Sequence, residues 1–142
     1  MNVANLLTTK GRAVVTMRVA QSVRDAVHLL AKHSLGAVVV VDEEDRPIGI
    51  VTERHIVRRL ADDERVLTRA VGEIMARDPV TAIPQDELTA VLRVMTERRI
   101  RHVPIIDRNE LVGIVSLGDV LRAQRDQYRG EVDTLETRVM DP

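Results

Sequence analysis

Ser116 and Asp119 lie three residues apart, directly after an apolar segment that predicts a strand. If Ser116 begins a helix, the unpaired N–H groups and the positive end of the helix dipole favour a phosphate there. An ionised carboxylate only accepts hydrogen bonds, so Asp119 can accept from both hydroxyls of a ribose-like diol. The structural alternative is that Ser116 merely caps the helix and Asp119 is a solvated acid in its first turn. The spacing therefore predicts either a site for a phosphorylated diol or an ordinary helix start.

A similar helix start occurs earlier in the chain, at Thr52, but the residue three positions later is His55. A neutral imidazole has one donor and one acceptor, so it cannot accept from two hydroxyls as a carboxylate does. We expect a site at this position to be weak, empty or differently occupied. The alternative is that His55 contacts a phosphate and makes binding depend on pH.

Two short basic segments are candidates for further phosphate contacts. They are Arg101 with His102, at the start of a predicted strand, and Lys10 with Arg12, in a predicted loop. Arginine suits bidentate contact with phosphate. The alternatives are a solvated basic patch at a helix end for the first segment and a mobile terminus for the second.

Both motifs belong to an internal repeat. The segment that begins at residue 15 recurs at residue 80, a shift of 65 positions, and the apolar positions of the two copies stay in phase. The second copy then loses one residue in a turn, so that GIVT at 49–52 matches GIVS at 113–116. Such repetition is typical of one supersecondary unit present twice, whose copies bury a common face.

Each copy is predicted to fold as strand, helix, strand, strand and helix. In the first copy Ser22 begins a helix that Gly36 stops, and the β-branched run 37–41 predicts a strand buried on both faces. The next predicted elements are a turn over 42–47, a strand over 48–51 and a helix that Thr52 caps. The second copy predicts a helix over 87–99, strands over 102–106 and 111–115, and a helix that Ser116 caps.

The repeat sets the expected domain boundaries. They are a first repeat over 1–60 with a lead-in over 1–14, a linker over 61–70, a second repeat over 71–124 and a helical tail over 125–142. In the tail, apolar residues recur at spacings of four, three and four, at Tyr128, Val132, Leu135 and Val139. Such a stripe needs a partner and predicts a homodimer.

Four segments at this repeat length resemble the CBS (cystathionine-β-synthase) domain family. They are GIVSLGDV at 113–120, GIVTERHI at 49–56, DPVT at 78–81 and RHVPII at 101–106. The resemblance extends to about residue 124 and is nearest to a bacterial subgroup of stand-alone CBS pairs. It implies an α/β (α+β) fold, in which two β-α-β-β-α repeats pack with pseudo-twofold symmetry as one disc-like module.

The resemblance also implies a ligand and a site. Similar modules bind AMP, ADP, ATP, NAD or S-adenosylmethionine between the two repeats, and some bind nothing. Asp119 would hold the ribose and Ser116 the phosphate, with the adenine between the copies. The other residues that the resemblance implies for the site are Met17, Ala20, Ala37, Val38, Thr52, His55, Thr81, Arg101, His102, Gly113, Lys10 and Arg12.

Composition argues against several other functions. The 142 residues carry a net charge of −1, with no Phe, no Trp and one Tyr. Nucleic-acid binding usually needs a basic surplus and aromatic stacking platforms, so we expect none. A bound purine would have to lie between aliphatic side chains and backbone. The chain shows no cysteine, no secretory signal pattern and no apolar run long enough to span a membrane, which favours the cytoplasm.

Motifs for catalysis are likewise missing from the sequence. No HExxH, GxSxG or Walker loop occurs, and four scattered histidines do not suggest a metal site. We therefore predict a non-catalytic sensor of an adenine nucleotide that signals to an unidentified effector protein. The alternative is a ligand-free module that dimerises and docks on a partner protein.

Overall fold

The computed structural model describes the backbone of residues 1–140 and the side chains of residues 1–131. Elements of the first half are α1 (Val3–Lys10), β1 (Thr16–Arg18), α2 (Val23–His33), β2 (Ala37–Val41), β3 (Pro47–Thr52) and α3 (Glu53–Asp62). A 3₁₀ helix (Glu64–Thr68) follows in the predicted linker, then α4 (Val71–Ile74) and β4 (Ala76–Arg77). The second half continues with α5 (Leu88–Arg98), β5 (His102–Asp107), β6 (Glu110–Ser116) and α6 (Leu117–Met140).

Strands of the first copy form a sheet in the order β1-β2-β3-β4, in which β1 and β2 are parallel and the other pairs antiparallel. All five residues of β2 are buried, as the β-branched run predicts. In the second copy β5 and β6 pair antiparallel. Together with the helices these sheets give the predicted mixed α+β fold.

The second copy lacks a full counterpart of β1. In place of the strand expected near Val80 and Thr81, Ala82 makes a single parallel bridge to Ile105. Pro79 and Pro84 flank this segment, and proline has no N–H to donate to a ladder. Pairing is therefore confined to one residue.

The helix that precedes each copy packs on the core of the other copy. Val3, Leu6 and Leu7 of α1 belong to the core of the second copy. Val71 and Ile74 of α4 belong to the core of the first copy, as does Val66 of the 3₁₀ helix. The two copies are consequently tied together by exchanged helices.

Predicted helix caps are confirmed. The hydroxyls of Ser22, Thr52 and Ser116 each accept a hydrogen bond from the N–H three residues later, at 3.0, 3.1 and 3.1 Å. The predicted stop of α2 at Gly36 is wrong. The last residue of the helix is His33, Ser34 caps it in a left-handed conformation (φ 53°), and Leu35 packs against the core.

The C-terminal helix is the part of the fold where the apolar stripe was predicted. Backbone of α6 is helical to Met140, and the Tyr128 side chain is 68% exposed. The side chains of Val132, Leu135 and Val139 lie outside the described residues, so the stripe stays a prediction. Within the described part of the chain, no helix combines the length and the apolar character needed to cross a membrane.

Candidate functional site

Ser116 and Asp119 form a reciprocal cap at the start of α6. The Ser116 N–H donates to Oδ2 of Asp119 at 2.8 Å, and the Asp119 N–H donates to the Ser116 hydroxyl oxygen at 3.1 Å. This is the arrangement of a capping box, which fixes the Asp119 side chain on the first turn. The hydroxyl proton of Ser116 stays able to donate to a ligand.

Two cations hold the Asp119 carboxylate. Nζ of Lys10 lies 2.5 Å from Oδ2, and Nη2 of Arg122 lies 2.7 Å from Oδ1. The side chain of Asp119 is only 11% exposed. Burial opposes its ionisation, but hydrogen bonds from Lys10 and Ser116 outweigh burial, so the pKa of Asp119 is below its ordinary value of 3.8. The carboxylate is therefore charged at neutral pH.

Lys10 reaches this carboxylate from the end of α1. Gly11 ends the helix with φ 97°, and the Lys10 ammonium also donates to the Ile114 carbonyl oxygen at 2.5 Å. A groove of about 340 Å³ lies beside the pair, between α1 and α6. The sequence made Lys10 a candidate for contact with a phosphate, and in the structure it pairs with Asp119.

His102 lies where the two copies meet. A Cβ atom built on Gly36 of the first copy would lie 3.1 Å from Nε2 of His102 and 3.6 Å from Oε1 of Glu53. Glycine at position 36 thus leaves room for the imidazole. The backbone shows the pseudo-symmetry of the two helix starts, because the Glu53 N–H donates to the Gly36 carbonyl at 3.0 Å and the Leu117 N–H to the Arg101 carbonyl at 2.8 Å.

The pKa of His102 is below its ordinary value of 6.5, first because of burial and then because of the Lys10 charge, and Asp119 and Glu53 oppose the shift. The imidazole is therefore neutral at pH 7. It presents one donor and one acceptor to this part of the molecule.

Stability is expected to fall as the pH drops below about 6.5, because the unfolded chain then takes up a proton that folded His102 resists. The contribution of neutral His102 to the free energy of unfolding is fully present above that pH. It is lost as the pH falls toward the lower pKa that His102 has in the folded state. The free energy of unfolding in urea, measured at about pH 7.5 and about pH 5.5, should differ less in His102→Gln than in the wild type. An equal difference in both proteins would contradict this assignment. Asp119 does not affect this comparison, because its contribution to stability is lost only when the pH falls below its ordinary pKa of 3.8.

The start of α3 in the first copy has fewer hydrogen-bond acceptors than the start of α6, because His55 stands where α6 has Asp119. Thr52 caps α3 through the His55 N–H, and the pKa of His55 is lowered by burial and then by Arg59 and Arg58. Arg58 and Arg59 can attract an anion to this position. The neutral imidazole of His55, however, cannot accept hydrogen bonds from both hydroxyls of a diol as a carboxylate does.

The remaining predicted site residues lie in several places. Met17, Ala37 and Val38 are buried in the first copy, and Ala20 is exposed. Arg12 lines a separate groove of about 400 Å³, and Thr81 lines one of about 200 Å³. Gly113 allows Leu7 to approach, since a Cβ there would lie 2.8 Å from Cδ2 of Leu7.

Three residues around the site were missed by the sequence analysis. Arg122 could have been found, because a cation three residues after Asp119 on a helix is a readable ion-pair spacing. Gly36 and Glu53 come near His102 only through packing of the two copies, and no local pattern signals that.

A family model for the CBS domain matches residues 4–62 and again residues 71–126. The chain therefore belongs to the CBS domain family and carries two copies of the domain. It is 44% identical over 98 residues to an uncharacterised 33.4 kDa protein of Thermofilum pendens, covering 69% of this chain and 32% of that protein. It is 34% identical over 119 residues to the CBS domain-containing protein YhcV of Bacillus subtilis, covering 84% and 82%.

In Arabidopsis thaliana the mitochondrial CBS domain-containing protein CBSX3 is 35% identical over 123 residues, covering 83% of this chain and 60% of that protein. The chain thus spans about a third of the Thermofilum protein and three fifths of the Arabidopsis protein.

Solved CBS structures share the fold. The protein ATU1752 from Agrobacterium tumefaciens gives a TM-score of 0.84 at 36% identity, covering 87% of this chain and 99% of that one. The CBS domain pair of MJ0100, in complex with 5′-methylthioadenosine and S-adenosyl-L-methionine, gives 0.80 at 27% identity, covering 89% and 98%. PAE2072 from Pyrobaculum aerophilum, complexed with AMP, gives 0.75 at 28% identity, covering 84% and 89%.

Proposed function

We propose that this CBS pair binds an adenosyl ligand between its two repeats and acts as a non-catalytic sensor. The observation that carries the proposal is the Asp119 carboxylate, charged, largely buried and fixed by Ser116 at the start of α6. Two structural relatives hold AMP or S-adenosylmethionine with 5′-methylthioadenosine. The adenosyl group is the part that these ligands share, and a carboxylate suits its ribose diol.

The two helix starts support one strong site for each chain. Asp119 can accept from both ribose hydroxyls, and the Ser116 hydroxyl at the positive end of the α6 dipole suits a 5′-phosphate. At the pseudo-symmetric position His55 replaces the carboxylate. Binding would act by favouring one conformation of the pair, and the output would go to a separate effector protein.

A homodimer is part of the proposal. Val57 on α3 and Leu121 on α6 occupy equivalent positions of the repeat, and their side chains are 64% and 50% exposed. Exposed apolar positions repeated on both copies support self-association through the helices. Sedimentation velocity of the wild type and of the double variant Val57→Ser, Leu121→Ser tests this part of the proposal.

The alternative function is a ligand-free docking module. It is favoured by one observation, namely that both carboxylate oxygens of Asp119 already have cationic partners. Small molecules released from the denatured protein, identified by mass spectrometry, distinguish the two functions. An adenine compound released from the wild type supports the sensor. No released compound, together with an unchanged melting temperature in AMP, ATP, NAD and S-adenosylmethionine, supports the docking module.

Isothermal titration of the wild-type chain with the best adenine ligand is expected to show one tight site per chain. A site at His55 should bind at least about tenfold more weakly, because it lacks one charge-assisted acceptor. His55→Asp should strengthen the weak site. Two sites of equal affinity in the wild type would rule out this asymmetry.

A further inference from the structure

Lys10 donates a hydrogen bond to Oδ2 of Asp119, an oxygen that a bound ribose diol would also need. Its ammonium lies 2.5 Å from Oδ2 of Asp119, and the same oxygen accepts from the Ser116 N–H at 2.8 Å. A diol that binds the carboxylate through both oxygens therefore has to displace Lys10. Arg122 on Oδ1 is a lesser obstacle, since its side chain is 60% exposed and can turn into solvent.

A displaced Lys10 needs another anion. It is about one third exposed, and its other hydrogen bond goes to the neutral Ile114 carbonyl oxygen. Leaving an ammonium without its carboxylate in a partly buried position is costly. An uncharged ligand makes the displacement unfavourable, and a cationic ligand adds repulsion.

A phosphate on the ligand removes this cost. Lys10 and the Ser116 N–H donate to one oxygen atom, so a phosphate at the start of α6 lies within reach of the flexible Lys10 side chain. The ammonium would then exchange a carboxylate for a phosphate while the carboxylate accepts the diol. Lys10, the phosphate and the carboxylate each keep a partner in the exchange, and the exposed Arg122 is solvated.

We propose that Lys10 is a specificity-determining residue that makes the site selective for phosphorylated adenosine compounds over neutral or cationic adenosyl ligands. The inference rests on the proposed function and narrows its ligand class. The class includes AMP, ATP and NAD, and it disfavours adenosine and 5′-methylthioadenosine, which carry no anionic group. Lys10 thus both covers the Asp119 carboxylate and selects the ligand that displaces it.

Isothermal titrations of AMP and of adenosine into the wild type and Lys10→Met test the inference. The wild type should bind AMP at least about tenfold more tightly than adenosine, the worth of roughly one charge-assisted hydrogen bond. In Lys10→Met the AMP affinity should fall and the adenosine affinity should rise, so that the ratio drops toward the smaller preference that the start of α6 alone supplies. Lys32→Met is the matched control, because Lys32 is the other lysine of the chain and lies exposed on α2.

Lys10→Arg keeps the charge and should keep most of the preference for AMP. If the wild type binds AMP and adenosine equally, or if Lys10→Met weakens both ligands by the same factor, the selectivity role is wrong while the adenosyl site stands. If the wild type binds neither ligand, the proposed function fails and this inference fails with it.

Discussion

Replacing Asp119 with asparagine is expected to weaken AMP binding by about 30-fold to 1000-fold. The amide offers one acceptor oxygen and no charge, so a pair of charge-assisted hydrogen bonds to the ribose, about 2 to 4 kcal/mol together, is lost. Asparagine has nearly the same shape and keeps one oxygen for the Ser116 N–H, so the cap at the start of α6 should survive. The expected defect is therefore in binding rather than in folding.

Isothermal titration of AMP into both proteins measures this effect. Asp126→Asn is the matched control, because Asp126 lines the same groove on α6 but its carboxylate pairs only with its neighbour Arg125 among the contacts described. The control should bind within about twofold of the wild type, in keeping with the small worth of exposed ion pairs. Unchanged affinity in Asp119→Asn would mean that the carboxylate does not hold the ligand.

Replacing Leu7 with alanine is expected to lower the free energy of unfolding by about 2 to 5 kcal/mol. The side chain is 1% exposed, lies in the core of the second copy and closes against Gly113. Truncation leaves a cavity between α1 and β6. Because α1 also carries Lys10, loss of this packing should loosen the Lys10–Asp119 pair as well.

Denaturation in urea, followed by circular dichroism, gives the change in stability. Ile83→Ala is a suitable control, since Ile83 is 48% exposed and its removal should cost less than about 1 kcal/mol. A cost for Leu7→Ala no greater than for Ile83→Ala would contradict the packing of α1 on the second copy.

Much of the fold could be predicted because its signals are local. The β-branched run of β2 and the capping hydroxyls of Ser22, Thr52 and Ser116 act within a few residues, and the structure shows each of them. The predicted end of α2 was wrong because the glycine at position 36 does not stop the helix. Gly36 makes room for His102, which is distant in sequence.

The site could be predicted only in part, for the same physical reason. Ser116 and Asp119 are three residues apart, so helix geometry alone brings them together. The Lys10–Asp119 pair joins residues 109 positions apart and depends on α1 crossing to the core of the other copy. No periodicity in α1 indicates which copy it covers.

A crystal structure of the chain grown with AMP is the most direct test of how the Asp119 carboxylate and Lys10 bind the nucleotide. We expect adenosine between the two repeats, with both ribose hydroxyls at hydrogen-bond distance from the Asp119 carboxylate, Lys10 moved onto the phosphate, and the phosphate near the Ser116 hydroxyl. Nucleotide bound elsewhere, or a site that stays closed by Lys10 at saturating AMP, would contradict it.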